Sequence, residues 1–233
     1  MGLIHSPSIV TDGLVLCLDA ANKRSYPGTG TTWTDLVTAA QASFVNGASF
    51  SSNNTGVISF DGTNDYVDTG VKASSFHGSD GSSSVFTTSF FVNPLSAFTG
   101  SSYASFTFIG NSAGSSGRWI LNLNNIDSNL YVGYYLGNSN NSASTNTPVP
   151  HSQWSYITYS YGGGSLKIYL NGVLSDTISI ASFTPNSGNN IRIGDHANNI
   201  RFMGDIASVT SYNRALTADE VRQNYEATVG RYT

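Results

Sequence analysis

The sequence predicts an all-β fold, a sandwich of two antiparallel sheets with one short C-terminal helix. Charged residues make up only 10% of the 233 residues, whereas aromatic residues make up 12%. Because average soluble proteins carry about 25% charged residues, this composition favours short strands joined by polar turns over a helical bundle. A third observation is the segment 163–177, in which two apolar runs flank an Asn-Gly pair.

The segment 163–177 is predicted to form a β-hairpin. Leu166, Ile168 and Leu170 alternate with more polar neighbours, which places the two sets on opposite faces of a strand. The Asn-Gly pair at 171–172 is preferred in two-residue type I′ turns, since both central residues need a positive φ. A hairpin alone is marginal in water, so this hairpin is expected to belong to a larger sheet.

Further strands are predicted along most of the chain, about a dozen in all, at the spacing expected for a sandwich. They include GLVLCLDA, GVISFDG, VFTTSFFVNPL, GRWILNLN, NLYVGYYLG, WSYITYSYG, NIRIGD and DIASVTSYN. The Asn- and Ser-rich stretch 138–150 is predicted to be a loop. We expect a single domain over residues 12–233, preceded by a short N-terminal arm at residues 1–11.

The helix is predicted in ALTADEVRQNYEA, near the C-terminus. Thr217 is followed three residues later by Glu220, the spacing of a capping box. Val221 and Tyr225 are four residues apart and share a helix face. We expect this helix to pack across one edge or end of the sandwich.

The charge pattern argues against two classes of partner. The formal net charge is −4, and the ten Lys and Arg residues are scattered, so a nucleic-acid backbone would find little counter-charge. No apolar run approaches the roughly 20 residues of a membrane span. The N-terminus lacks the charged start and apolar stretch of a signal peptide. The single cysteine, Cys17, excludes an internal disulfide.

Three motifs, in the same order, resemble laminin-G-like, concanavalin A-like jelly-roll domains. They are ISFDGTNDYV, QWSYITYSYGGGSLKIYLNGVL and IRIGD followed by RFMGDIASVTSYNRALTADEV. The match covers most of residues 13–227. The resemblance implies a concanavalin A-like jelly roll, with two curved antiparallel sheets and adjacent N- and C-terminal strands. The opening GLVLCLDAANKRSYPGTGTTWTDL looks like the start of such domains in tailed-phage virion proteins.

The resemblance implies three functions, which we rank. The first is a non-enzymatic virion structural or decoration protein, attached to capsid or tail proteins of the same particle and expected to be a homo-oligomer. Such a protein would be made in the host cytoplasm without a signal peptide and would lie on the virion surface. The alternative is a soluble lectin that binds cell-surface glycan. A glycoside hydrolase is placed last.

Carboxylate catalysis is not expected, because glycosidases need two carboxylates about 5 Å or about 6.5–9.5 Å apart. The chain has two glutamates, Glu220 and Glu226, both in the predicted helix. Its aspartates lie mostly in turns, where Asp stabilises backbone geometry. The four histidines stand beside turn residues, without a Gly-x-Ser-x-Gly elbow. We therefore predict no catalytic residues and no required cofactor.

Calcium binding is the alternative to a plain turn in DGTND, residues 61–65. Asp61 and Asp65 belong to a run with oxygen side chains at alternate positions, as in calcium loops. The turn interpretation is stronger, because the distal Glu of an EF-hand is absent. The resemblance implies a Ca²⁺ on the rim of the sandwich, which adds Asp195 and Asp68 as further candidate ligands.

Sugar binding would need an exposed aromatic platform beside hydrogen-bonding side chains. The candidates are Tyr26, Trp33, Tyr134, Tyr135 and His196. Tyr26 and Trp33 are preferred because they lie in a turn-rich segment. Trp119 and Trp154 are instead expected in the core, because they lie in apolar strands.

The N-terminal arm is a candidate assembly element. It carries Ile4, Ile9 and Val10 but is too short to bury a core of its own. We expect these side chains to lie in a groove of a neighbouring subunit or capsid protein, as an added strand. The alternative is a frayed terminus.

Overall fold

The computed structural model describes residues 7–72, 85–95, 103–109, 118–126, 129–137, 142–180, 190–196 and 200–232. The strands in these residues are β1 (Leu14–Asp19), β2 (Thr32–Thr34), β3 (Gln41–Val45), β4 (Ser49–Ser51), β5 (Val57–Asp61), β6 (Tyr66–Lys72), β7 (Phe86–Pro94), β8 (Tyr103–Ile109), β9 (Arg118–Ile126), β10 (Asn129–Gly137), β11 (Ser142–Val149), β12 (Ser155–Gly162), β13 (Ser165–Leu170), β14 (Val173–Ser179), β15 (Asn190–Ile193), β16 (Asp195–His196), β17 (Ile200–Arg201) and β18 (Met203–Tyr212). A 3₁₀ turn covers Asn53–Thr55, and α1 covers Ala218–Val229.

The strands form two antiparallel sheets and a small two-stranded ribbon. The first sheet has the order β14-β13-β12-β7-β18-β5-β4, and β1 also pairs with β18. The second sheet has the order β11-β10-β9-β8-β15-β6-β3-β2, and β16 pairs with β17. The predicted fold class is confirmed, and so is the adjacency of the N- and C-terminal strands.

The core lies between the two sheets and follows the period of two along each strand. Phe90, Ile157 and Ile168 of the first sheet point inward, as do Leu121 and Val132 of the second, and all are buried in one cluster. Burying a side chain of this size stabilises the fold by about 1.5–3 kcal/mol. Because the inner faces of the two sheets pack together, only the outer face of each sheet is left for other contacts.

Tyr159 links the two sheets by a hydrogen bond as well as by packing. Its ring is fully buried among inward residues of the first sheet. Its hydroxyl lies 3.1 Å from the carbonyl oxygen of Asn122 and 3.2 Å from that of Gly133, both in the second sheet. Burial raises the pKa of this hydroxyl well above its usual value of 10, so it stays protonated and can donate.

The outer face of the first sheet is covered by α1, not left to solvent. Val221 of the helix packs with Tyr169 and Tyr212 of the sheet, and Tyr225 packs near Tyr156, with ring centroids 5.9 Å apart. The helix therefore lies across a face of the sandwich, and the expectation of an edge or end was wrong. No helix in the described ranges combines the length and hydropathy needed to cross a membrane.

The helix begins with the predicted capping box. The Thr217 hydroxyl accepts from the backbone N–H of Glu220, and the Glu220 carboxylate accepts from the backbone N–H of Thr217 at 2.8 Å. The same carboxylate pairs with both terminal nitrogens of Arg214, at 2.6 and 3.0 Å. Arg214 lies two residues after the end of β18, so the first turn of the helix is bonded to the segment that leaves the last strand.

Trp154 does not lie in the sandwich core, contrary to the prediction, whereas Trp119 does. Trp154 is half-buried on the outer face of the first sheet. Its ring centroid lies 4.7 Å from that of Tyr232 and 5.9 Å from that of Phe91. Trp154 thus has its apolar contact with Tyr232, near the C-terminus, and not with the core, where its apolar strand had predicted it.

The stretch 138–150 is not simply a loop, because β11 runs through residues 142–149 and pairs with β10. Thr145, Thr147 and Val149 are buried and alternate with exposed residues. Pro148 is exposed in this edge strand, where a missing N–H costs little. The polar composition of this stretch obscured the alternation of buried and exposed residues that is typical of a strand. Residues 138–141 lie outside the described ranges.

The N-terminal arm packs on its own chain where the structure describes it. The backbone N–H of Val10 donates to Asn224 at 2.8 Å, and the carbonyl of Val10 accepts from the Tyr212 hydroxyl at 2.9 Å. Ile9 is half-buried, and Ile4 lies outside the described residues. Both backbone groups of Val10 are therefore bonded within the chain, and the assembly role of Ile4, Ile9 and Val10 stays a prediction.

The hairpin turn is confirmed in detail. Asn171 and Gly172 have φ of 51° and 79°. The Asn171 side chain also accepts from the backbone N–H of Tyr156 at 2.8 Å, which ties the turn to the neighbouring strand. A Cβ on Gly172 would lie 3.1–3.3 Å from the ring and Cβ of Tyr225 on the helix.

Replacing Gly172 with Val should lower the free energy of unfolding by more than about 1 kcal/mol, because a β-branched residue is strained at positive φ. The new side chain would also push Tyr225 of the helix. Urea unfolding measures the effect, with Val173→Ser in the same hairpin as a control, because Val173 is 69% exposed. An unchanged midpoint for Gly172→Val would contradict the turn geometry.

Glu220 should make stability depend on acid pH. Arg214 and the Thr217 cap lower its pKa from 4.5 to about 2 in the folded protein. The carboxylate therefore stabilises the fold above its unfolded pKa, and this contribution is lost as the pH falls from about 4.5 towards 2. The Tm difference between the native protein and Glu220→Gln should shrink over that interval. A constant difference would argue against the ion pair.

Candidate functional site

The outer face of the second sheet carries a set of polar and aromatic side chains that the core does not use. In β9, Leu121 and Leu123 point into the core, so Asn122 and Asn124 between them point outward. Both amides are nevertheless buried, at 7% and 4% exposure. These amides therefore lie below the surface of the outer face, and we refer to this position as a recess.

The floor of the recess is Gly133 in β10, which lies opposite Asn122. A Cβ at this position would lie 2.5 Å from the amide nitrogen of Asn124, so a side chain here would require that amide to move. Tyr131 and Tyr135 stand two residues to either side on the same face, and both are half-buried. At about 3.4 Å per residue their Cα atoms are about 13 Å apart.

A chain of hydrogen bonds crosses this floor. The Asn122 amide nitrogen donates to the Asn124 side-chain oxygen, and the Asn124 nitrogen donates to the Ser144 hydroxyl in β11. Ser144 is exposed and pairs with Gly133 across the strands. We name this recess the glycine notch; it comprises Asn122, Asn124, Tyr131, Gly133, Tyr135 and Ser144.

The glycine notch combines two aromatic walls with a polar floor. Aromatic rings bind the apolar faces of flat ligands, while amide and hydroxyl groups exchange directed hydrogen bonds. The amides are held in place by one another, so they are oriented before any ligand arrives. This arrangement can bind a neutral polyhydroxylated ring but offers no acid or base for chemistry.

A second group of side chains lies on the same face, towards β6 and β15. The guanidinium of Arg192 lies over the ring of Tyr66, 4.7 Å from its centroid. Asp68 lies opposite Arg192 in the sheet register, and its carboxylate accepts from Asn190 at 2.9 Å and from the backbone N–H of Gly70 at 3.0 Å. We name Tyr66, Asp68, Asn190 and Arg192 the arginine corner.

Asp195 anchors the arginine corner and does not resemble a calcium ligand. It is 2% exposed and forms ion pairs with Arg201 and with Arg192, the latter at 3.5 Å. Two guanidinium groups therefore neutralise its charge, and a cation there would be repelled. These ion pairs give Asp195 a structural role, and its metal-binding role stays a prediction. His196 pairs with Ile200 in the β16–β17 ribbon, and its side chain lies outside the described residues.

Tyr26 and Trp33 do not form an exposed platform, because they are 3% and 0% exposed. Tyr26 stacks between Phe44 and Phe50, with centroid distances of 5.6 and 4.7 Å. Its hydroxyl donates to the carbonyl of Gly30 at 2.6 Å, so the ring is used to close a loop. Trp33 lies in β2 and belongs to the core. Their assignment as ligand-binding residues was wrong.

The turn at 61–65 uses its aspartates for backbone hydrogen bonds. Asp61 accepts from the N–H of Thr63 at 2.7 Å, and Asp65 accepts from the N–H of Asp61 at 3.0 Å. Burial is the main cause that raises the pKa of Asp65 above 3.8. Within the described ranges no group of three or more metal-ligating side chains occurs. Calcium binding here stays a prediction, and the hydrogen bonds fit the turn interpretation.

Tyr135, a candidate sugar-binding residue, lies in the glycine notch, and the sequence around it carries a further signal for this site. Tyr134 is 6% exposed and points inward, so its neighbour Tyr135 points outward. The period of two in NLYVGYYLG then puts Tyr131 and Gly133 on the same face as Tyr135. A glycine between two outward tyrosines is the pattern that marks the recess.

Comparison with known proteins identifies the family. Residues 61–222, more than half of the chain, match the laminin-G-like family described as the concanavalin A-like lectin/glucanases superfamily. The chain belongs to this family. No curated protein sequence matches it significantly.

Solved structures share the fold at low sequence identity. Domain 4 of AbnA, a GH43 extracellular arabinanase from Geobacillus stearothermophilus in complex with arabinotriose, is 16% identical, with a TM-score of 0.67 over 91% of this chain and 98% of that one. Trypanosoma rangeli sialidase is 14% identical, with a TM-score of 0.69 over 97% of this chain. The botulinum neurotoxin type G receptor-binding domain is 19% identical, with a TM-score of 0.64 over 92%.

This chain spans 34% of the sialidase and 51% of the neurotoxin domain. The similarity shows a shared fold. It is a fold found in both glycan-binding proteins and glycoside hydrolases.

Replacing Gly133 with Ala should destabilise the protein by about 1–3 kcal/mol, because the new methyl group displaces the Asn124 amide from its buried hydrogen bonds. Thermal unfolding measures this. Ser144→Ala is the matched control, since it removes the last acceptor but adds no atom to the floor, and it should cost less. Equal effects of the two substitutions would show that the floor has room for a side chain.

Proposed function

We propose that this protein is a non-catalytic carbohydrate-binding domain whose ligand occupies the glycine notch. The observation that carries the proposal is the floor of Asn122, Asn124 and Gly133 between two half-buried tyrosines on an outward sheet face. Sugars present both hydroxyl groups and apolar C–H faces. The notch provides fixed amides for the hydroxyl groups and aromatic rings for the C–H faces.

Three carboxylates of the described residues, Asp19, Asp35 and Asp195, have structural partners, which supports a binding role over hydrolysis. Asp35 accepts hydrogen bonds from the backbone of Cys17 at 2.7 Å and of Thr38 at 3.0 Å. Asp19 accepts from Arg231 at 2.9 Å, and Asp195 is paired with two arginines. A glycosidase needs two carboxyl groups facing one bond, and none of these faces the notch floor.

The family supports the same proposal without deciding it. A structural relative holds arabinotriose, and another is named as a receptor-binding domain. The virion role, with capsid or tail proteins as partners and the virion surface as location, stays a prediction from the N-terminal motif. Copurification with particles at a fixed copy number would test it independently of sugar binding.

Binding should be measured on a panel of neutral and acidic oligosaccharides, followed by calorimetry on the strongest ligand. Tyr135→Ala and Tyr131→Ala should each weaken binding about five- to tenfold, as expected from losing an aromatic contact of about 1 kcal/mol. Tyr135→Phe and Tyr131→Phe keep the ring and should retain most of the affinity.

Lys167→Ala is the control on the opposite side of the molecule, because Lys167 is exposed on the outer face of the first sheet. Absence of binding across the panel, or binding that the alanine variants do not alter, would contradict the proposal. Release of sugar by the pure protein would contradict its non-catalytic part.

A further inference from the structure

We infer that the arginine corner is a subsite for the carboxylate of an acidic sugar residue, so that the ligand is an acidic oligosaccharide. This inference rests on the proposed function, because it extends the ligand of the glycine notch along the same sheet face. It specifies a chemical class of glycan that the notch alone, being neutral, does not select.

Arg192 is the cation that remains available at this corner. Asp195 has its closer ion pair with Arg201, whose side chain is 15% exposed, and its pair with Arg192 is long at 3.5 Å. Arg192 is 38% exposed. A guanidinium carries five N–H donors in a planar fork that matches a carboxylate. One long contact leaves most of this fork for a ligand.

The surroundings of Arg192 favour a sugar acid over a free small anion. The Tyr66 ring below the guanidinium holds it in one plane and offers an aromatic surface beside the charge. The Asp68 carboxylate, fixed by Asn190 and Gly70, can accept a hydrogen bond from a sugar hydroxyl, which a small anion without hydroxyl groups cannot donate. A ligand that carries one carboxylate and several hydroxyls satisfies both side chains.

The position of the corner relative to the notch sets the size of the ligand. Tyr135 lies opposite Ile120, Ile120 opposite Phe108, and Phe108 opposite Arg192 in adjacent strands. Three strand spacings of about 4.8 Å separate Tyr135 from Arg192 by about 14 Å. This distance fits an oligosaccharide that crosses the strands, and it is too long for one sugar ring.

The net charge of −4 makes the inference specific. A protein with this net charge does not attract anions at long range, so preference for an acidic ligand has to come from a local contact. Added salt should therefore weaken binding of the acidic ligand more than binding of its neutral counterpart.

The test uses the full chain and two probes, sialyllactose and a galacturonic acid trimer, each beside its methyl ester. The ester keeps the size and hydroxyl groups but removes the charge. The acid should bind at least about tenfold more tightly than the ester, since a charge-assisted hydrogen bond contributes about 1.5–3 kcal/mol. Arg192→Gln should abolish this preference by lowering the affinity for the acid about tenfold, to near that of the ester.

Arg192→Lys should recover only part of the preference, because it keeps the charge and loses the fork. Arg222→Gln is the matched control, since Arg222 is a 62% exposed arginine on α1, far from the sheet face. Unfolding curves of each variant confirm that the fold is retained. If Arg192→Gln does not fold, Arg192→Lys alone decides the result.

Equal affinity for acid and ester would overturn this inference and leave the proposed function intact. Binding of the acid that Arg192→Gln does not weaken would also overturn it. Absence of binding to the acids, the esters and the neutral oligosaccharides would instead contradict the proposed function itself.

Discussion

Buried polar groups in this protein obtain their hydrogen bonds from hydroxyls, amides and the backbone, because few charged side chains are available. Under α1, Ser89 bonds Thr158 at 2.9 Å, and the Thr87 hydroxyl accepts from the backbone N–H of Leu216 at 2.8 Å. Between the sheets the Tyr159 hydroxyl reaches carbonyls of the opposite sheet. Each of these bonds contributes only about 1 kcal/mol, yet leaving one partner unpaired would cost 1–3 kcal/mol. The relative positions of sheets and helix are therefore constrained in direction as well as in distance.

The candidate site follows from the same constraint. The backbone carbonyl of Asn122, in the second sheet, accepts a hydrogen bond from the Tyr159 hydroxyl. The Asn122 side chain starts the chain of hydrogen bonds on the outer face. Inner packing and outer chemistry therefore share one strand segment. A site built on such a segment needs no reorganisation when a ligand binds, which favours affinity. Charged side chains are used at the arginine corner and at the cap of α1, where the direction of a hydrogen bond matters most.

The strand pattern, the hairpin and the capping box were predictable because each depends on local sequence. Gly172 and Thr217 act through their immediate neighbours, so the spacing of residues was enough. Tyr26 and Trp33 were misassigned because their burial depends on partners such as Phe44, which are distant in sequence. The ion pairs of Asp195 could not be predicted for a similar reason, since Arg201 approaches it across a separate ribbon. Predicting the glycine notch required knowing which face of β9 and β10 points outward, and only the sheet order shows this.

The two ends of the described chain lie on one side of the sandwich. Val10 is bonded to α1, and Arg231 is bonded to Asp19 of β1, so both ends lie against the first sheet. The glycine notch and the arginine corner lie on the outer face of the second sheet. Any tether joined to either end would therefore hold the domain from behind and present the polar face to its surroundings.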